Sequence, residues 1–503
     1  MFKVTIFFAL LISLAFCEIT DYLKSANRTF NEIDGKIPKV FVEMDPTEYK
    51  KLVEMAQIDQ YRDIIDRCNG DAGCLEDFET KVTLIFEVDD NKKVYNKVNF
   101  KTGGKYGRAQ DRIGFNFKLK GDDLLLGRKQ IRVRADSGDY THLRSKIAYD
   151  LLNVLGFASI QENHCELYIN GEYFGLYLLK DTIKTNWINK VYGLPSDEEI
   201  ETLYYCTSNV KFNKGEMCGN ENKKFANYTQ PFEELVDKIQ ASESIEDLEK
   251  FMNVDLLMRN IAIEFLYGSN DHFIISGHNF YMYQKKDGIW DMILVDFDSE
   301  FGSGYHTYFK FILHQEYENY GFRLSLEEMK NLKKKPHKIL DIICSKDNTY
   351  FKKALREIMV TGFNPDALFI RIDELKEFIA PYVKKATTPR ADGRLPGVIN
   401  LLGTNTTHTY EDFEAVSSIE NTDPKIPSLK SWILNRFEFA CEEYGFNKEE
   451  ILKEAAIYRG EAVETDTNAE VETEYDDSDD DEKSVEDISV SIDEEEDSSD
   501  EEI

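Results

Sequence analysis

The sequence predicts an α+β protein with a two-lobed body, strand-rich over residues 37–185 and mainly helical over 231–458. Three observations carry this. Short β-type runs crowd the first part, helical periodicity takes over later, and strands first with helices after is the pattern of an α+β rather than an α/β chain. KVFVEM, KVTLIFEV, KVYNKVNFKT, IGFNFKLK and KQIRVRA are the strand runs, separated by Asp-, Asn- and Gly-rich turns. A helix, PTEYKKLVEMAQ, interrupts them at Pro46. Leu143, Ile147, Leu151 and Leu155 then recur at helical spacing until Gly156 stops the run. CELYINGEYFGLYLLKD reads as a hairpin turning at Asn170-Gly171. EELVDKIQ, SIEDLEKFM and VDLLMRNIAIEFLYG are helical, NFYMYQKKDGIWDMILVDFD is a second hairpin turning at Asp287-Gly288, and helices resume from 325 to about 458.

The first seventeen residues read as a secretory signal: Lys3, an apolar centre from Val4 to Leu14, and small residues Ala15 and Cys17 before a cut at Glu18. A lipoprotein signal ending at Cys17 is the competing reading, against which bulky Phe16 speaks. Residues 18–36 form a lead segment, and no later stretch is long and apolar enough to span a bilayer. An exported, soluble protein, secreted or at the cell surface, is expected. In that compartment disulfides are the default, and the short polar loops CNGDAGC and CTSNVKFNKGEMC pair Cys68 with Cys74 and Cys206 with Cys218. Cys165, Cys344 and Cys441 are left over. The spacing lacks the paired CxxC units and His partners of a zinc site. Asn27, Asn227 and Asn405 open glycosylation sequons.

The net charge of −33 is uneven, because residues 461–503 hold 22 acidic residues against one basic residue, Lys483. That tail, about 459–503, cannot bury enough apolar surface to fold alone and is expected to be disordered. Such charge points away from nucleic acid as a partner.

The richest constellation is GSNDHFIISGHNFYMYQKKDGIWDMILVDFDSEFG. Asp271 follows a helix, Asn279 opens a strand, and Asp296 and Asp298 end the returning strand. Alternation along a strand puts those two carboxylates on one face, about 7 Å apart, where they suit hard cations with the Asn279 amide oxygen beside them. Phosphoryl transfer needs metal against the β- and γ-phosphates and a carboxylate to take the hydroxyl proton, the role assigned to Asp271. The plainer alternative is that these aspartates only cap turns. In the strands IGFNFKLK and RKQIRVRA, Lys118 and Lys120, and Arg132 and Arg134, alternate with apolar residues. They make one cationic sheet face that suits nucleotide phosphates or is simply solvated. TGGKYGR, with Gly103, Gly104 and Gly107, is a weaker phosphate-loop signal.

The stretch GRKQIRVRADSGDYTHLRSKIAYDLLNVLGFASIQENHCELYINGEYFGLYLLKD resembles the CotH (spore coat protein H) kinase family, through Arg134, Asp139, Leu143-Arg144, Gly156 and the run from Tyr168 to Tyr177. HNFYMY and VDFDSEFG resemble the family's later segments, and the resemblance covers residues 37–450, as a secreted fungal-type member. It implies a divergent protein-kinase-like fold with ATP and Mg2+ (or Mn2+) between lobes, and Ser/Thr of secreted or cell-surface proteins as substrates. Asp271 falls on the loop aspartate, Asn279 on the metal-site asparagine, and Asp296 and Asp298 on the paired aspartates. Val295 departs from the usual Trp, the loop from Asp271 to Asn279 is longer, and Asp181 stands where Glu is common. Family members that are adhesins rather than enzymes keep a non-catalytic binding protein open as the second reading. Ser478, Ser484, Ser489, Ser491, Ser498 and Ser499 sit in acidic runs, so the tail is itself a candidate substrate, or merely a solubilising, calcium-attracting segment.

Overall fold

The computed structural model describes residues 21–461 apart from 137, 208, 315–320, 346–347 and 420–426; the expected signal segment and the acidic tail from 462 on lie outside the described residues. The first seven strands are β1 (Lys39–Glu43), β2 (Glu79–Val88), β3 (Asn91–Gly103), β4 (Gly114–Lys118), β5 (Gln130–Arg134), β6 (Glu162–Ile169) and β7 (Glu172–Lys180). Of these, β1, β2 and β5 alternate buried and open positions, whereas β6 and β7 are buried along most of their length. The seven close a barrel in the order β1-β2-β3-β4-β5-β7-β6. Phe100, Phe115, Phe117, Ile131, Val133, Leu167 and Leu179 fill its interior. The Asn170-Gly171 turn joining β6 to β7 has φ of +48° and +80°, the left-handed pair a two-residue hairpin favours. A second sheet, in the order β11-β10-β8-β9, is built from β8 (Leu203–Cys206), β9 (Gly219–Asn220), β10 (Phe280–Gln284) and β11 (Trp290–Leu294).

The helices are α1 (Pro46–Met55), α2 (Arg144–Val154), α3 (Thr185–Val191), α4 (Gln230–Ala241), α5 (Ile245–Glu249) and α6 (Val254–Tyr267), followed by a helical run ending at Lys448–Tyr458. The mixed α+β class holds. The expected two-lobed, kinase-like arrangement does not: the strand-rich part is a closed barrel and the helical part carries a sheet of its own. Two facts overturn it. β1 pairs in parallel with β6, Lys39 to Glu166 through Val42 to Ile169, which removes the open edges of the first sheet. And α2 is buried on every side, from Arg144 to Asn153, in one hydrophobic cluster with Leu176 of β7, α6 and the second sheet. The outside of the barrel is thus packed into the helical core, and the described residues form one compact unit.

Cys68–Cys74 and Cys206–Cys218 are disulfides, while Cys165, Cys344 and Cys441 are free. Asn27, Asn227 and Asn405 are all exposed. Among the described residues no helix is long and apolar enough to cross a membrane.

Candidate phosphoryl-transfer site

The hairpin β10–β11 brings the acidic residues together. Val295 N–H donates to the Asn279 carbonyl at 2.9 Å, so Asn279 and Asp296 flank the last rung of the ladder. β11 itself ends at Leu294, which puts Asp296 and Asp298 on the chain leaving the strand rather than on it. Their alternation survives: Asp296 and Asp298 are exposed, Val295 and Phe297 buried. Asn279 and Asp296 both take left-handed backbone, φ +52° and +76°, a conformation costly for residues with a Cβ and found where a site over-determines its geometry. The Asn279 amide nitrogen donates to the Asp271 carboxylate at 3.0 Å and to its carbonyl at 3.1 Å. His278 Nδ1 lies 3.0 Å from the other Asp271 oxygen. Asp271 is thereby fixed at the rim, its side chain 46% exposed.

The opposing wall is the outer face of the barrel. Register places Asn116, Arg132, Lys180 and Glu162 in one row across β4, β5, β7 and β6. Lys180 Nζ lies 3.0 Å from Glu162 and donates to Ser145 Oγ of α2 at 2.9 Å, and Ser145 Oγ in turn donates to Glu162. Arg134 donates to the Phe115 carbonyl at 3.2 Å and to Asn116 Oδ1 at 3.1 Å. A Cβ on Gly103 would press within 2.8 Å of that guanidinium, so this glycine of TGGKYGR makes room for Arg134. Burial brings the Arg134 guanidinium down to about 9, with Arg132 adding to the drop and Asp296 and Asp298 opposing it. Burial likewise acts to lower Lys180, but Glu162, Asp296 and Asp298 hold it above its ordinary value. Burial, then the neighbouring Asp296, push the Asp298 carboxyl up to about 7 while Lys180 pulls it down. As a residue Asp298 is nonetheless solvent-exposed, so the repulsion from Asp296 is the firmer of the two causes.

Asp271, Asn279, Asp296, Asp298 and Arg134 therefore share one electrostatic neighbourhood, and Arg132 joins it through Tyr205, whose phenol senses Asp296, Arg132 and Asp271. Lys118 and Lys120 stand exposed on and just beyond β4, Lys118 between Asn99 and Gln130, and the strongest charge interactions of Asp298 and Arg134 are with other groups. Sequence reasoning missed Lys180, Glu162, His278 and Tyr149. Tyr149 Oη accepts the Asp296 N–H at 2.9 Å. Only the register of β5, β7 and β6 reveals the first two. The signature residues Asp139 and Arg144 act from behind. Asp139 accepts the N–H groups of Thr141, Leu143 and Arg144 at the start of α2, and Arg144 donates to the carbonyls of Glu300 and Phe301, fixing the chain just after Asp298.

Among the described residues no three His, Cys, Asp or Glu side chains form a metal-holding group. Two carboxylates and one amide oxygen fit Mg2+ or Mn2+ as partial ligands, since magnesium keeps waters and takes phosphate oxygens to fill its shell. Two surface cavities, about 490 Å³ beside Asn227 and about 450 Å³ beside Lys333, are lined by other residues than these ligands.

Fold and site together define a barrel-based α+β protein whose paired aspartates face a lysine- and arginine-bearing barrel wall. The family model described as CotH kinase protein matches residues 100–439, and the chain belongs to that family. It is 24% identical over 285 residues to spore coat protein homolog 1 of Rhizopus delemar, covering 53% of this chain and 42% of that protein. It is 24% identical over 297 residues to invasin CotH3 of the same organism, covering 54% and 45%. Against inner spore coat protein H of Bacillus subtilis it is 22% identical over 197 residues, covering 36% and 52%. The chain thus spans about half the length of the curated relatives it matches.

Proposed function

We propose that this chain transfers the γ-phosphoryl group of ATP to Ser or Thr hydroxyls of exported proteins. The observation that carries the reading is that a carboxylate held by an asparagine, two exposed aspartates and a cationic barrel wall lie within electrostatic reach of one another. Asp271 accepts the proton of the acceptor hydroxyl; Asn279 and His278 keep its carboxylate turned to the rim. Asp296, Asp298 and the Asn279 amide oxygen hold the cation, and Arg134 and Lys180 face the phosphate oxygens. A divalent cation, when bound, offsets the charge of the β- and γ-phosphates. Membership in a family described as kinases supports the same chemistry. The two disulfides and the spore-coat and invasin names of the relatives support an extracellular or surface location.

A labelled-phosphate assay with Mg2+ or Mn2+ tests this. Wild type labels a secreted-protein substrate, while Asp271→Ala and Asp296→Ala stay folded and lose at least about a hundredfold. Equal labelling by all three removes the assignment. The second reading, a surface-binding protein without catalysis, is favoured by relatives named invasins. Tight binding to a cell surface without any phosphate transfer would favour it.

A further inference from the structure

In a chain of net charge −33, the segment KNLKKKPHK at 330–338 is a local reversal of sign. It folds against the loop that carries Asp271. Lys333 Nζ donates to Ser276 Oγ at 3.4 Å, and Ser276 Oγ donates to the Asn270 carbonyl at 2.7 Å, one residue before Asp271. Lys333 and Asp271 are close enough that the carboxylate acts to raise the lysine against burial. A surface cavity of about 450 Å³ opens here, lined among others by Lys330, Lys333, Lys334, Lys335 and His337. Its one carboxylate, Asp341, is occupied by Lys330 at 3.1 Å, and Lys335 is paired with Glu216 at 2.6 Å. Lys334 is exposed. Beneath them Lys211 is fully buried, and its ammonium has no hydrogen-bond partner in the described structure. Burial, then Lys333 and Lys335, bring it down to about 8. His337, buried and neutral, contributes no charge. Positive charge is thus over-supplied at this cavity and carboxylate under-supplied, beside the residue placed at the acceptor hydroxyl.

We propose that Lys333, Lys334 and Lys335 form a docking site for acidic side chains of the substrate polypeptide, so that the acceptor Ser is chosen by neighbouring Asp or Glu. The inference rests on the phosphoryl-transfer reading for its consequence, though not for the binding itself. In the transfer, the bond from the γ-phosphorus to the ADP leaving oxygen breaks, the bond to Ser Oγ forms, and the hydroxyl proton passes to Asp271. An extended peptide advances about 3.3 Å per residue, so carboxylates within a few positions of the acceptor reach the lysines. The serines of the chain's own tail, such as Ser478 within DDSDDDE, carry this signature.

The test uses the full-length chain and two labelled peptides, EYDDSDDDE and a counterpart with every Asp and Glu changed to Asn and Gln. Fluorescence anisotropy reads binding and labelled phosphate reads transfer. Ion pairs from exposed Lys334 and half-buried Lys333, with Lys335 shared between Glu216 and the peptide, predict a Kd several-fold and up to about tenfold tighter for the acidic peptide. The same ratio is expected in kcat/KM, arising in KM. Changing Lys333, Lys334 and Lys335 together to Ala brings the ratio close to one; changing them together to Arg keeps it. Equal binding of the two peptides by wild type, or a preference that survives the triple Ala variant, overturns the docking site. Preferential binding without transfer to either peptide removes the phosphoryl-transfer reading and leaves the docking site standing. Transfer without preference does the reverse.

Discussion

The Lys180 ammonium lies 3.0 Å from the Glu162 carboxylate, both almost wholly buried, at a point of the barrel wall that also senses Asp296 and Asp298. Strand pairing sets the two side by side, and Ser145 of α2 closes the triangle. Lys180→Met would leave Glu162 charged, buried and short of its partner, a loss of about 3–5 kcal/mol. Glu162→Gln keeps an acceptor for Ser145 and is expected to cost less. Urea denaturation of the two single variants and the double variant checks this. The double variant should lose clearly less than the sum, because the pair acts as one unit.

Asp296 and Asp298 repel one another, so a divalent cation should stabilise the folded chain and its removal with a chelator should reverse the gain. At about ten times its Kd, a cation adds about 1.4 kcal/mol. Asp298→Asn should raise stability without cation, by up to about 1 kcal/mol after solvent screening, and abolish the response to cation. Thermal unfolding with and without Mg2+ reads both effects. A full cation response in Asp298→Asn would take the carboxylate out of the ligand set.

Trp432 clamps the chain behind the site. Its indole N–H donates to the Leu266 carbonyl at 3.0 Å, and a Cβ on either Gly268 or Gly302 would overlap its ring. Both glycines are left-handed, at φ +65° and +79°. Gly302→Ala adds backbone strain to a steric overlap and is expected to cost about 3 kcal/mol. Trp432→Phe together with Gly302→Ala should recover part of that loss, measured by the shift in denaturation midpoint.

Much of this was legible in the sequence because it is local. The strand runs from KVFVEM to KQIRVRA, the Asn170-Gly171 turn and the meeting of Asn279 with Asp296 all follow from period and turn chemistry within about twenty residues. The barrel was not, because its closure is a parallel pairing between β1 and β6 whose partners, such as Val40 and Leu167, lie far apart in the chain. A parallel ladder leaves no turn signal. β8 escaped for a related reason: LYYC is four residues long and becomes a strand only by pairing with β10. Alternation puts Lys118, Arg132 and Arg134 on one side of their strands, but it cannot say which of them lies nearest the acidic loop. Register does, placing Arg132 opposite Lys180 and Lys118 opposite Gln130.

Acid should unfold this chain through its histidines before its carboxylates. Burial pushes His164 down to about 4, where its ring nitrogen contacts the His142 carbonyl at 2.7 Å. His142 and His408 face each other nitrogen to nitrogen at 3.0 Å, both held below their ordinary value by burial and by one or more neighbouring cations. Each must stay neutral to keep its place. Below the ordinary histidine value near 6.5 the unfolded chain takes up protons that the folded chain refuses, so stability falls as pH drops from about 6.5 to 4, by about 3 kcal/mol for His164 alone. His272 works in the opposite direction. Burial would lower it, but Glu300 beside it raises it to about 9, so its contribution is complete below about 6.5 and is lost as pH rises toward 9. The histidine contribution to stability should therefore peak near neutrality. Denaturation midpoints from pH 4 to 9 test the curve, and His164→Gln should flatten its acid limb while leaving the alkaline limb in place. An acid limb unchanged in that variant would assign the loss to other groups.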